Sequence, residues 1–278
     1  MNLGDYNDLE VARFVEFGVY LTSDDGDILM PDRYVPAGVR VGDVLHVFVY
    51  RDSEDRLVAT TEQPLARVNE FAALRVTQAG PLGAFLDWGL PKDLLLPLRN
   101  QPKRVQAGDT VLVYIYLDET SDRLVATAKW ERYTERAPEE LEPGEQVPLI
   151  IAGQSELGYA VLADGRYQGM LYRNEVFRPL SIGDAATGYV RQVRPDGKLD
   201  VSLQRQGYDE ALVAAEKLVE KLRKAGGTLP VTDKTDAEEI YRRLGMSKKV
   251  FKKALGTLYR RGQVQLYPDH TRLIDDAE

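Results

Sequence analysis

The chain has 278 residues with no cysteine, two histidines and a formal net charge of −8. Disulfides, thiolate metal sites and cysteine nucleophiles are therefore excluded, and His46 and His270 are too far apart in sequence to suggest a histidine-based metal centre. No apolar run suits a signal peptide or a membrane span, so a cytoplasmic location is expected. In chain order, the first 66 residues carry Gly18-Val-Tyr-Leu21, Leu29-Met-Pro31, Val41-Gly-Asp43 and Arg56-Leu-Val-Ala-Thr60. Between 67 and 134 the same order returns as Gly83-Ala-Phe-Leu-Asp87, Leu95-Leu-Pro97, Gly108-Asp109 and Arg123-Leu-Val-Ala-Thr127. Between 135 and 207 it returns as Gly158-Tyr-Ala-Val161, Ile182-Gly-Asp184 and Lys198-Leu-Asp-Val-Ser202. The spacing between the two glycines is 24, 25 and 25 residues, so three anchors recur in register and define an internal repeat.

The second copy reads as five short strands between Phe71 and Lys129, which suits a small closed barrel. Period-two alternation puts Phe85 on the face opposite Ala84 and Leu86. The stretch Trp130 to Gly144, with Glu139, Glu140, Glu142 and two prolines, reads as an acidic spacer. After residue 207 the period changes. Leu212, Ala215, Leu218, Val219 and Leu222 recur at helical spacing up to Gly226-Gly227. Asp233 to Asp236 offers caps for a helix over Ala237 to Leu244, Ser247 caps one over Lys248 to Arg261, and residues 263–274 read as a hairpin. Helix, turn, helix and hairpin is a winged-helix order. The expected architecture is mainly β: three tandem five-stranded barrels (1–66, 67–134, 135–207), then a small α+β winged-helix domain with a preceding linker helix (208–278).

The order of Gly-x-aromatic strand, apolar strand, Gly-Asp turn, Val-rich strand and basic last strand resembles the S1 domain, an RNA-binding OB-fold. With the run Gly83 to Pro97, the whole chain resembles the conserved virulence factor B (YitL-type) family. The resemblance implies three S1 domains, a C-terminal winged helix and a bacterial RNA-binding regulator of gene expression, including virulence-factor expression. It also implies roles for single positions. Phe85 matches the family's base-stacking aromatic, Tyr20 stands in its place in copy one and Ala160 in copy three. Leu96 stands where many S1 domains carry a histidine, and Tyr172 is aligned with that histidine in copy three.

Charge divides the copies. Residues 1–66 hold 5 basic and 13 acidic side chains, 67–134 hold 9 and 8, 135–207 hold 8 and 11, and 208–278 hold 14 and 12. Phosphate neutralisation drives non-specific affinity, so copy one is not expected to lead in RNA contact. A structural role against copy two, or docking onto the ribosome or another basic protein, is expected for it instead. In copy two, Phe85 and Trp88 beside Lys92, Arg99, Lys103 and Arg104 pair an aromatic platform with cations, as single-stranded nucleic acid requires; the other reading of Trp88 is a cap on the barrel mouth. In copy three the candidates are Tyr159, Tyr172, Arg173, Arg191 and Arg205, because arginine both pairs with phosphate and stacks on bases; the other reading is that these arginines offset nearby acids. From Arg242 to Arg261 there are eight basic residues and no acid, and Lys248, Lys249, Lys252, Lys253 and Arg260 are placed off the buried stripe.

Two scattered histidines, no Walker-type loop and carboxylates confined to turns leave no catalytic constellation, and no cofactor or metal is expected. The leading expectation is therefore a non-enzymatic protein for single-stranded RNA, a post-transcriptional regulator. The other is a winged-helix DNA-binding transcription regulator whose barrels serve dimerisation or protein contacts.

Overall fold

The computed structural model describes residues 1–173, 176, 179–203 and 208–274, with 208–212 described in backbone only. Three five-stranded closed barrels follow one another. The first is β1 (Tyr6–Val15), β2 (Gly18–Thr22), β3 (Ile28–Pro31), β4 (Val44–Arg51) and β5 (Leu57–Thr60), joined in the order β1-β2-β3-β5-β4. The second is β6 (Phe71–Ala79), β7 (Gly83–Asp87), β8 (Leu94–Pro97), β9 (Thr110–Asp118) and β10 (Arg123–Thr127). The third is β11 (Gln146–Gln154), β12 (Gly158–Ala163), β13 (Tyr167–Tyr172), β14 (Ala185–Val193) and β15 (Leu199–Ser202). In each, the third strand runs parallel to the fifth, which closes the barrel without an open edge.

The repeated residues have repeated physical reasons. Gly18, Gly83 and Gly158 sit at φ 150, 152 and 150°, and a Cβ there would lie 2.1, 2.4 and 2.2 Å from the carbonyl oxygens of Met30, Leu96 and Leu171. Only glycine lets the second strand turn in so close to the third. In the Gly-Asp turns the carboxylates of Asp43, Asp109 and Asp184 each accept from the amide three residues upstream, at 2.8 Å in all three.

The barrels are not beads on a string. The core of the second barrel runs into the first through Phe48, Tyr50 and Val58. Leu112 from the second barrel, Leu162 from the third and Trp130 form a separate cluster between those two. The segment expected to be an acidic spacer is therefore partly structural. Trp130 and Ala137 are buried, and Ala137 donates its amide to the Gly197 carbonyl at 2.8 Å. Its apolar residues outweigh its composition because burying each large one contributes about 1.5–3 kcal/mol.

The last domain packs α1 (Tyr208–Lys224), α2 (Ala237–Leu244) and α3 (Lys248–Arg260) around Leu218, Leu222, Ile240, Phe251 and Leu255. A small sheet of β16 (Thr228–Leu229), β17 (Val264–Leu266) and β18 (Thr271–Leu273) completes the winged-helix order. Strand β16 has no counterpart in the sequence reading, because two residues are too short to show a period. Ser247 caps α3, accepting from the Val250 amide, whereas Asp236 stands at the start of α2 without making a side-chain capping bond. Among the described residues no helix is long and apolar enough to cross a membrane.

Candidate nucleic-acid interface

The three equivalent positions on the second strand of each barrel have three different surroundings. Tyr20 is covered by its own barrel: the Arg13 guanidinium lies 4.3 Å over its ring and is held there by Asp27. Ala160 is covered by the neighbouring barrel, packing on the cluster of Leu112, Trp130 and Leu162. This accounts for the missing aromatic in copy three, since a large ring would have to displace that contact. Phe85 opens onto a cavity of about 240 Å³, with Leu82 and Leu95 on its walls and Arg51, Lys92, Arg123 and the Asp93 carboxylate around it. Ala84 and Leu86 on either side are fully buried, so strand alternation fixes the outward direction of Phe85. A shallower depression of about 370 Å³ shares Leu82, Leu95 and Arg123 and extends this face to Arg99.

Leu82 escaped the sequence reading. It is 77 % exposed, and its counterparts Phe17 and Leu157 are 57 % and 68 % exposed. Their carbonyls accept from the amides of Leu98, Asp32 and Arg173, which pins each hairpin tip against the end of the third strand. The signal was present: each repeat glycine is preceded by a large apolar residue.

Other residues of the second barrel divide. Trp88 is 3 % exposed and lies edge-on to Phe48 and Tyr50 of the first barrel, with ring centroids 5.8 and 6.4 Å away. Its indole N–H donates to the Lys92 carbonyl at 2.7 Å, so the ring is held in the junction, where it forms part of the inner wall of the Phe85 cavity. Lys92 donates to the Asp52 carbonyl of the first barrel at 2.5 Å, and burial pulls its pKa down. Arg99 is exposed and pairs with Asp118 at 3.1 Å. Lys103 and Arg104 are exposed on the loop between β8 and β9, with no ion pair among the described residues.

In the third barrel Tyr159 is a core residue, buried because β12 turns it inward. Tyr172 lies opposite Gly158, just as Pro97 lies opposite Gly83, whereas Leu96 lies opposite Ala84. Tyr172 and Leu96, both matched to one histidine position, are thus one residue out of step. Leu96 fills the core, and Tyr172 is half-buried with its hydroxyl donating to Asp200 at 3.2 Å and accepting from Arg194 at 2.9 Å. Arg173 is exposed and donates to the Ser155 carbonyl, and Arg191 is half-buried with partners of its own. Arg205 lies outside the described residues.

Asp200 is the hub of that network and is itself buried. Burial pushes its carboxyl up, but hydrogen bonds from Arg194 and Gln192 outweigh this and hold it below the usual 3.8. The carboxylate therefore stabilises the folded barrel above pH about 4, and that contribution fades as pH falls through the lowered value. Asp200→Asn is expected to cost about 1–3 kcal/mol at pH 7 and less in acid, once the pH falls through the lowered value. Urea titrations of both proteins at pH 7 and in acid check this, and a gap that does not narrow in acid would mean that the charge is not the source of the effect.

On α3 the chain leaves Lys249, Lys252, Lys253 and Arg260 exposed and Lys248 half-buried, while Phe251, Ala254, Leu255 and Leu258 face the core. No acid stands in the first turn, so Lys248 and Lys249 face the positive end of the helix dipole, an unfavourable placement of about 0.3–1 kcal/mol each. Tyr259, also missed, is 58 % exposed on the same helix. Its apolar neighbours in sequence hid it, because Leu255 and Leu258 belong to the buried stripe.

The S1 domain family model matches residues 3–62 and 70–129, and the CvfB-like winged helix domain model matches residues 216–273. Neither describes a catalytic domain. A Bacillus subtilis relative named uncharacterized protein YitL is 28% identical over 275 residues, covering 95% of this chain and 91% of the relative. Conserved virulence factor B of Staphylococcus epidermidis is 24% identical over 228 residues, covering 80% of this chain and 76% of the relative. A solved structure described as a multidomain protein with nucleic acid binding domains, from Streptococcus pneumoniae, is 23% identical and covers 98% of each chain, with a TM-score of 0.46.

Proposed function

The chain belongs to the conserved virulence factor B (YitL-type) family, and on that premise we propose that it binds single-stranded RNA and acts on gene expression after transcription in the cytoplasm. The observation that carries the reading is the surroundings of Phe85, an outward aromatic beside apolar walls, three cations and one carboxylate, Asp93, which accepts from Thr77, where the equivalent positions in the other barrels are covered. Such a cleft takes a base by its face and a phosphate by its charge without reading a duplex groove. The basic face of α3 adds contact with the backbone; its exposed cations are mostly lysine, which binds phosphate as a point charge and reads base edges poorly compared with Asn, Gln or Arg.

The test is a fluorescence-anisotropy titration of a single-stranded RNA, the DNA of the same sequence and a DNA duplex, each at two salt concentrations. Tighter binding of the single strands, RNA above all, is expected. Preference for the duplex would move the function to the winged helix and make the barrels scaffolding. Phe85→Ala is expected to weaken RNA binding by about 5- to 100-fold, the loss of one stacked base, with an unchanged circular-dichroism spectrum and melting temperature. Unchanged affinity in a folded variant would remove Phe85 from the interface.

A further inference from the structure

The hairpin that closes the first barrel faces the equivalent hairpin of the second. Both turn through an aspartate with positive φ, Asp55 at 69° and Asp122 at 50°. The ion pairs between them cross. Arg51 donates through Nη2 to the Asp122 carboxylate at 2.5 Å and through Nε to the Asp122 carbonyl at 3.1 Å. Arg123 donates through Nε and Nη2 to the Asp55 carboxylate at 3.1 and 2.8 Å. Both guanidiniums line the Phe85 cavity, one from each barrel. The carboxylates of both pairs reach water, the Asp122 side chain being 65% exposed and that of Asp55 41%; Arg123 is 55% exposed, whereas Arg51 is 25% exposed and also donates through Nη1 to the Asp55 carbonyl at 3.0 Å. Exposed pairs of this kind contribute about 0–1 kcal/mol, so a stronger anion can take the guanidinium and leave the carboxylate to solvent.

We propose that the first barrel is part of the ligand site of the second: Arg51 and Arg123 hold the phosphates flanking a nucleotide whose base enters the Phe85 cavity, with Asp122 and Asp55 occupying those guanidiniums until phosphate displaces them. The proposal rests on the single-stranded RNA reading above and names the residues that recognise the backbone there. The size of the cavity fits, since about 240 Å³ is below the roughly 300–1,000 Å³ of drug-sized pockets and suits a single heterocycle. Charge fits as well. The first barrel is acidic in total, but at this rim it offers a guanidinium, whose planar fork matches a phosphodiester; its Asp52 carboxylate is held by Arg56, and its Asp55 carboxylate, 41% exposed, sits on a turn from which it can swing into water.

The test uses the full chain and a fluorescein-labelled oligouridylate of about 12 nucleotides, within the usual site size of such barrels. Arg51→Gln is expected to weaken binding about tenfold and to lower the salt slope by about 0.7, the share of one phosphate on a single strand. Asp122→Asn breaks the same ion pair but leaves the cation, and is expected to tighten binding about threefold. If Arg51 only braced the junction, the two variants would change affinity in the same direction or not at all, and either result overturns the proposal. Phe85→Ala serves as the reference. If it weakens binding while Arg51→Gln does not, the junction proposal alone has failed; if Phe85→Ala has no effect either, the RNA reading has failed with it.

Discussion

Trp88→Ala is expected to destabilise the first two barrels together by about 3–5 kcal/mol, the largest stability loss of any single change discussed. The indole is nine-tenths and more buried, its neighbours Phe48 and Tyr50 come from the other barrel, and its N–H is satisfied by the Lys92 carbonyl. Truncation would leave a void bounded by two barrels that cannot both collapse onto it, and edge-to-face contacts worth about 0.5–1.5 kcal/mol each would go with it. Guanidinium titration followed by tryptophan fluorescence is unsuitable here because only Trp130, between the second and third barrels, would remain to report, so circular dichroism provides the readout. A loss under about 1 kcal/mol together with abolished RNA binding would mean that Trp88 acts through the cavity it lines and not as the anchor of the junction.

Changing Lys249, Lys252, Lys253 and Arg260 together to glutamine is expected to lower RNA affinity at low salt by about 10- to 1,000-fold and to reduce the salt slope by about 2–3. Stability should move the other way. Lys249 and Lys253 are like charges four apart, and each such pair costs about 0.2–0.5 kcal/mol of helix stability. Lys249 also opposes the dipole of α3. The variant should therefore melt slightly higher while binding less. An unchanged slope would place the phosphate contacts elsewhere, leaving α3 a merely solvated face.

The repeat was legible because its anchors are local demands of the backbone. A glycine at φ near 150° with no room for a Cβ and an aspartate bonding its own turn meet the same local demand in each copy, so both recur in all three. The helices of the last domain were legible for the same kind of reason, since the stripe of Phe251, Ala254, Leu255 and Leu258 follows a single period. Within the site, alternation along β7 was enough to turn Phe85 outward. It was not enough for Trp88, which lies one residue past that strand and follows the geometry of the junction. Nor could it show that Tyr172 and Leu96 occupy different positions, because strand register is set by pairing across strands.

By itself, then, the amino-acid sequence determined three barrels, a winged helix, the outward aromatic of the second barrel and a helix crowded with cations. All of these follow from periodicity and turn chemistry within some tens of residues. Only the tertiary structure decided which aromatic positions remain open. Arg13 covers Tyr20, the second barrel covers Ala160, and the first barrel buries Trp88 while placing Arg51 beside Phe85. The physical reason is that burial between domains depends on partners distant in sequence. Composition shows only that an apolar or charged side chain exists, and the packing of neighbouring barrels determines whether it meets water, protein or ligand.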